Sequence, residues 1–509
     1  MKLFDSVGSR RPRKNKFDLS HEKKFTCEMG TLVPIMVQEV LPGDSFRARS
    51  EILLRFAPLL APTMHRFDVF THFFYVPNRI TWVDWQDAIT GGRDGTLAPV
   101  SPTMFITDVT KAAIAGKGTL GDYFGLPLFP NPITKSQGVC CLPFRAYQLI
   151  YDEFFRDQNL TDPVGCSKLS GDMTPVAGEI AKMCTLRKRA WEKDYFTSAL
   201  PWTQRGGQVM LPTTINYKPT STIVRTDGTP MVGGDHLQSD AITPANLELT
   251  TSAKAARIEN IASMQTTIND LRQAVRMQEW LEKNARGGAR YVEQILSHFG
   301  VMVPDSRLQR PEYLGGGRAP VSVSEVLSNF QISTDPAGLP QGNMAGHGIS
   351  VSHQNGFSKT FVEHGFVIGL MSILPRTAYQ QGVPRYLKRG DRFTYAWPEF
   401  ANLGEQEILN SELYADGTAA DDATFGYQSR YAEYKYQPST VHGEFKDTLD
   451  FWHDGRKFAA RPVLNEGFVM SSPDPRIFAV PGASNHMYVQ CYNKVDALRP
   501  LPYYGTPML

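Results

Sequence analysis

The 509-residue chain is poor in charge. Asp, Glu, Lys and Arg make up only 20% of it, and the two signs nearly cancel to a formal +2. It also lacks metal-binding cysteine spacing. Cys27, Cys140, Cys141, Cys166, Cys184 and Cys491 include no C-x-x-C, and an adjacent pair such as Cys140-Cys141 suits neither structural zinc nor an ordinary disulfide. Reduced thiols in a cytoplasmic assembly environment are expected. The start, "MKLFDSVGSRRP", has no apolar h-region, so no secretory signal is expected. The longest strongly apolar run, "FVIGLMSIL", is too short to span a bilayer as a helix, so a soluble chain with no membrane insertion is expected. No repeat of 20–50 residues, no G-x-S-x-G elbow and no H-E-x-x-H occurs. What the chain does have is aromatic residues at 11%, with 42 Gly and 35 Pro. That combination favours a β-rich, loop-rich fold built around a core.

Strand signals crowd both ends. In "FRARSEILLRF" Phe46, Ala48, Ile52, Leu54 and Phe56 share one face, and Arg47, Arg49, Glu51 and Arg55 the other, which predicts a half-buried strand. "TLVPIMVQEV" before it predicts a partner. "RFDVFTHFFYVP" is apolar on both faces and predicts a strand buried on both sides. "HGFVIGLMSILPR" predicts another, "DRFTYAWPEF" and "RIFAV" shorter ones, and "MYVQCYNKV" alternates again. Helices are expected in the middle. "TWVDWQDAITGG" offers a Thr81/Asp84 capping box and a Gly91-Gly92 stop. "RAYQLIYDEFFRD" places Tyr147, Ile150, Tyr151 and Phe154 on one face. "TINDLRQAVRMQEWLEKNARGG" has Thr267 and Asp270 as caps and Ile268, Leu271, Val275 and Leu281 as a stripe. Residues 206–262 are Thr-rich and sparing in large apolar side chains, and read as an inserted surface segment. Strong strands at both ends fit one β-domain whose distant strands pair, as in a jelly roll.

No catalytic constellation emerges. "GKGTLG" (residues 116–121) has the G-x-G-x-x-G spacing, but neither a buried strand before it nor a suitable helix after it, and it reads as a loop. His347, His353 and His364 have no metal-site spacing, His65 and His72 point to opposite faces of a strand, and Asp421-Asp422 sit in a solvated loop. No metal, cofactor or catalytic residue is assigned. The charge asymmetry is more informative. Residues 1–24 hold eight Lys/Arg against three acids, a net +5, which leaves −3 for the rest. Within this arm Arg10, Arg11, Arg13, Lys14, Lys16, Lys23 and Lys24 are candidates for contact with nucleic-acid phosphates, whose counterions they would release. Phe17 and Phe25 either stack on bases or anchor the arm to the body. A solubilising tail is the plainer alternative.

"GTLVPIMVQEVLPGDSF", "RFAPLLAPTMHRFDVFTHFFYVPNRI", "AITGG", "LPFRAYQLIYDEFFRDQNL", "DYFTSALPWTQRG", "ARGGARYVEQILSHFGVMVPDSRLQRPEYLGGG" and "ALRPLPYYGTPML" together resemble the major capsid proteins of the microviruses, small icosahedral phages with single-stranded DNA. The stretch 287–317 points to the gokushovirus-like branch. The resemblance implies a mainly β fold: an eight-stranded viral jelly roll with large loop insertions and a few helices. It implies a structural protein, not an enzyme, sixty copies of which form a T=1 shell around a circular single-stranded DNA genome. Expected partners are other copies of itself, the genome, other virion proteins (spike, pilot or small DNA-binding protein) and a host surface receptor. The expected location is the virion, assembled in the bacterial cytoplasm. The expected organisation is a basic arm (1–30), a first core segment with helical insertions (31–205), a surface insertion (206–262) and a second core segment with long loops (263–509). The insertion occupies the place of the branch's three-fold protrusion and is short for it. "YLGGGRAPVSVSEVLSNF" and "PYYGTPML" are candidate interface loops. A carbohydrate-processing β-enzyme, marked by a cleft with convergent carboxylates, and a basic-tailed nucleic-acid-binding protein are the alternatives.

Overall fold

The structure, a computed structural model, describes residues 13–207, 209–210, 223–225, 237–239, 247–249, 256–258, 267–327, 344–480 and 485–504. These fall in two compact units, one of residues 1–203 with 288–509, the other of residues 204–287. The two main sheets of the larger unit are built from ten strands: β1 (Asn15–Asp18), β2 (His21–Cys27), β3 (Val33–Val40), β4 (Ser45–Phe56), β5 (Phe67–Pro77), β6 (Glu312–Pro320), β7 (Ser322–Leu327), β8 (Met344–Thr360), β9 (Gly365–Pro375) and β10 (Met487–Arg499). One sheet runs β1-β10-β4-β8-β7, with β2 also on β10, and the other runs β6-β5-β9-β3. Every pairing in the two sheets is antiparallel. Going along the chain, β2, β4, β8 and β10 join the first sheet, while β3, β5, β6 and β9 join the second. The result is mainly β and jelly-roll-like.

Periodicity explains the layers. The inward residues of β4, Phe46, Ala48, Ile52, Leu54 and Phe56, are all buried, and so are Met487, Val489 and Cys491 of β10. They meet Phe67, Val69, Phe73 and Tyr75 of β5 and Val367, Met371 and Ile373 of β9 in one core between the sheets. The other face of β5 and β9 carries Phe74, Val76, Ile368 and Leu370. It packs on a second core with Phe144, Tyr147 and Ile150 of helix α1 (Leu142–Ile150). Double burial is why β5 lacks polar alternation. After Ile150 the helix widens into a π-turn, Tyr151–Phe155. The extra residue in the turn makes Phe155 rather than Phe154 the more buried of the two.

Four expectations are corrected. "DRFTYAWPEF" forms two 3-10 turns, Arg392–Thr394 and Pro398–Phe400, and "RIFAV" another, Pro475–Ile477. These aromatic-rich runs have strand propensity, but Pro398 and Pro475 each open a turn. "YLGGGRAPVSVSEVLSNF", expected as a loop, is instead strand β6 paired with β5 and then strand β7 paired with β8, as far as Leu327. Gly316 and Gly317 let it lie close to its neighbours, because a Cβ on either would collide with Thr71 O or with the Asn355 amide. The Thr81/Asp84 cap gives way to two helices, Asn78–Thr81 and Trp85–Thr90, the second ended by Gly91 at φ 78° as expected.

In the smaller unit, helix α2 (Ile268–Gly287) begins with the reciprocal Thr267/Asp270 cap, both bonds at 3.2 Å. Ile268, Leu271 and Val275 lie exposed on it. Most of 206–262 lies outside the described residues. Ile223–Arg225 pairs with Ala256–Ile258, and Leu237–Ser239 with Leu247–Leu249.

The two sheets are joined by a buried polar clamp. A bulge in the β9–β3 pairing leaves Ile35 without a register partner. Asn493 of β10 donates to the Ile35 carbonyl at 2.9 Å and accepts from Ser50 Oγ of β4 at 2.6 Å. Asn493→Leu strands both partners in a site with no water access, so it is expected to lower stability by about 2–3 kcal/mol. A urea midpoint shift with an unchanged far-UV spectrum checks this.

Candidate nucleic-acid interface and assembly surfaces

The arm is largely woven into the fold. Arg10 and Arg11 lie outside the described residues. Arg13 is exposed and makes no hydrogen bond or ion pair among the described residues. Lys14 donates to Gly43 O. Lys16, on β1, pairs with Asp496 at 2.8 Å, and Lys24, on β2, pairs with Glu22 at 3.3 Å. Lys23 points inward instead, donating to Pro34 O at 2.6 Å and to Tyr123 O. Burial pulls its pKa down to about 8, against the raising influence of Cys491 and Asp122. The two phenylalanines are anchors: Phe17 stacks on Tyr503 at 5.6 Å, and Phe25 meets Tyr123 edge-on at 5.9 Å. The seven cations are therefore not one cluster. Lys16 and Lys24 lie on the sheet's solvent side, Lys23 is inside, and Arg13 and Lys14 stand at the point where β1 begins.

The other residues weighed for chemistry have structural partners. The "GKGTLG" run is a loop only as far as Thr119, which caps a short helix, Leu120–Phe124, and Asp122 of that helix accepts from Gly118 N at 2.8 Å. Arg461 binds both Asp416 and Asp421. His72 sits among Phe74, Phe155 and Tyr313, and His364 against Trp85. No group of three or more His, Cys, Asp or Glu among the described residues is placed to hold a metal. All six cysteines are unpaired, and burial pushes Cys141, Cys166, Cys184 and Cys491 up to about 12. At the C-terminal end Tyr503 and Tyr504 are exposed, and residues 505–509 lie outside the described set. No helix among the described residues is long and apolar enough to cross a membrane.

A second basic and aromatic region was missed as a site. Residues 385–400 form an exposed loop over a third core that includes Phe196, Tyr379, Ile408, Leu413 and Phe468. The loop carries Tyr386, Leu387, Phe393, Tyr395 and Trp397 at the surface, and Tyr434 and Tyr436 are exposed as well. Arg389 lies over the rings of Tyr395 (5.7 Å) and Tyr434 (4.8 Å). The signal was present as cations interleaved with rings in "RYLKRGDRFTYAW" and "RYAEYKY". Separated by residues 398–429, the two runs do not look like one surface until the fold joins them.

Known proteins give a consistent picture. The family model described as capsid protein (F protein) matches residues 6–509. The chain is 36% identical to capsid protein VP1 of Chlamydia phage 1, with 99% of this chain and 97% of that one covered. It is 37% identical to capsid protein VP1 of Bdellovibrio phage phiMH2K, covering 92% and 90%. It is 31% identical to capsid protein VP1 of Spiroplasma virus 4, covering 99% and 96%.

Proposed function

The chain belongs to the capsid protein (F protein) family, and from that premise we propose that sixty copies close into a T=1 icosahedral shell around a circular single-stranded DNA genome. It is a structural capsid protein of a phage virion, not an enzyme. The observation that carries the shell proposal is the fold itself. Two antiparallel sheets alternate along the chain as the eight strands of a jelly roll do, if β1 and β7 are taken as edge additions. Such a two-sheet core, decorated with long loops, suits heterologous contacts repeated around five-fold and three-fold axes. Tyr503 and Tyr504, exposed near the C-terminal end, suit the contacts themselves. Residues 206–262 are proposed to project outward and meet a host receptor. Spike, pilot or small DNA-binding proteins complete the particle, which is assembled in the host cytoplasm.

Within this reading Arg10, Arg11, Arg13 and Lys14 precede the first strand and are proposed to face the genome. Lys16, Lys23 and Lys24 serve the sheet edge. Electron microscopy of purified assemblies tests the shell: closed particles of sixty copies are expected, and persistent monomers in the presence of genome and partner proteins overturn it. Alanine at the four arm cations is expected to lower DNA content per particle, read as absorbance at 260 against 280 nm, with the shell intact.

A further inference from the structure

Two clefts meet under the loop 385–400 and share one wall, formed by Arg385, Arg389, Glu412 and Glu433. The acids of that wall are already engaged. Glu412 accepts from Arg385 at 3.0 Å and from Tyr195 Oη at 2.9 Å. Glu433 accepts from Arg389 at 3.0 Å and from Gln406 Nε2 at 2.9 Å. The smaller cleft, of about 280 Å³, adds Lys388 and Arg430, which makes four cations against two carboxylates. Lys388 is held by Ser411 Oγ at 2.7 Å and only distantly by the exposed Asp422, at 3.5 Å. Arg430 has no ion pair among the described residues and lies over the ring of Tyr431 at 5.2 Å. Four cations against two engaged carboxylates leave the smaller cleft with an excess of positive charge, which suits an anion.

The larger cleft, of about 790 Å³, is lined by Tyr386, Tyr395, Tyr434 and Tyr436, with Lys446 exposed and unpaired among the described residues. Arg389 of the shared wall lies over two of these rings, Tyr395 and Tyr434. Tyr386 and Tyr436 are 66% and 58% exposed, so their faces are open to a ligand. The cleft is of the size that accepts a drug-sized ligand.

We propose that the joined clefts bind a short run of single-stranded nucleic acid, with backbone phosphate at Arg430 and Lys388 and bases stacked on the tyrosines of the larger cleft. Stacking platforms beside a cationic track are what an unpaired strand requires. A duplex keeps its base faces covered, so it cannot use the rings. An apolar segment of another copy of this chain would cover the tyrosines but bury Arg430 and Lys446 without counter-charge, which is costly. The site lies apart from the N-terminal arm, and the proposal rests on the reading that this chain encloses a single-stranded genome.

Fluorescence polarisation of labelled oligodeoxythymidylate with the purified full-length chain tests it. Tyr386→Ala combined with Tyr436→Ala, both at exposed positions, is expected to weaken binding by at least about tenfold. Arg430→Gln is expected to lower the slope of log affinity against log salt by about 0.7, the signature of one lost phosphate contact on a single strand. Ultraviolet cross-linking of filled particles is expected to place DNA on peptides that carry Tyr386, Tyr395, Tyr434 or Tyr436. Unchanged oligonucleotide affinity, or cross-links confined to the arm, overturns the site. So does a tyrosine variant that fails to form shells without DNA, because the surface is then a subunit interface. The shell reading fails separately, if the unaltered chain forms no particles.

Discussion

Phe73→Ala is expected to lower unfolding stability by about 4 kcal/mol and to abolish particle formation. Phe73 is fully buried in β5, between β6 and β9, so its backbone is hydrogen-bonded on both sides and cannot move into a void. Its ring meets Phe357 of the opposite sheet at 5.3 Å. On its own sheet it covers Gly369, its register partner, where a Cβ would approach the ring to 2.9 Å. Glycine there is thus shaped to the phenylalanine. A cavity between two hydrogen-bonded sheets retains most of its cost. A marginal fold has about 5–15 kcal/mol in total, so the loss leaves little reserve for assembly. Tyr488→Ala on the outer face of β10, where the ring is 44% exposed, is the control, expected to stay within about 0.5 kcal/mol. Urea midpoints at constant slope read both. A Phe73→Ala midpoint near that of the control would mean that the sheets close over the gap.

The strands of this core were legible in the sequence because burial imposes its period on the residues. β4 and β10 alternate, and β5 and β9, buried on both faces, do not. Local composition misled where tertiary contact decides. Tyr, Phe and Trp in residues 391–400 have strand propensity, yet a strand needs an edge to pair with, and none of the described strands runs beside them. The glycines of β6 look like a loop until Thr71 and Asn355 occupy the space their side chains would take. The N-terminal arm was legible as charge but not as structure. Lys16 next to Phe17 and Lys24 next to Phe25 have the two-residue alternation of an edge strand, with cations outward and rings inward. The clefts under 385–400 depend on two distant runs and a wall of buried acids, which no local pattern encodes.

Removing His65 and His72 together is expected to make folding about 4 kcal/mol less sensitive to acidification from pH 7.5 to 5. Burial pulls both imidazoles down to about 4. His65 is further lowered by nearby His453 and Arg476, although its bond to Arg376 O at 2.7 Å opposes this. His72 lies in a ring-lined site with Arg189 close by. Unfolded, each titrates near 6.5. Between about 6.5 and 4 the unfolded chain therefore binds more protons than the folded one, so stability falls as pH falls through that window. Each group accounts for about 2 kcal/mol lost by pH 5. Asp454 and Glu412 act in the opposite direction, because burial raises both and protonation then favours the folded state. The raw slope mixes these opposing groups, so the histidine part is read as a difference. Urea unfolding of the unaltered chain and of His65→Gln/His72→Phe is compared at both pH values. The variant is expected to lose about 4 kcal/mol less on acidification, and each single change about half of that. Equal losses in all four proteins would mean that both imidazoles accept protons freely inside the fold.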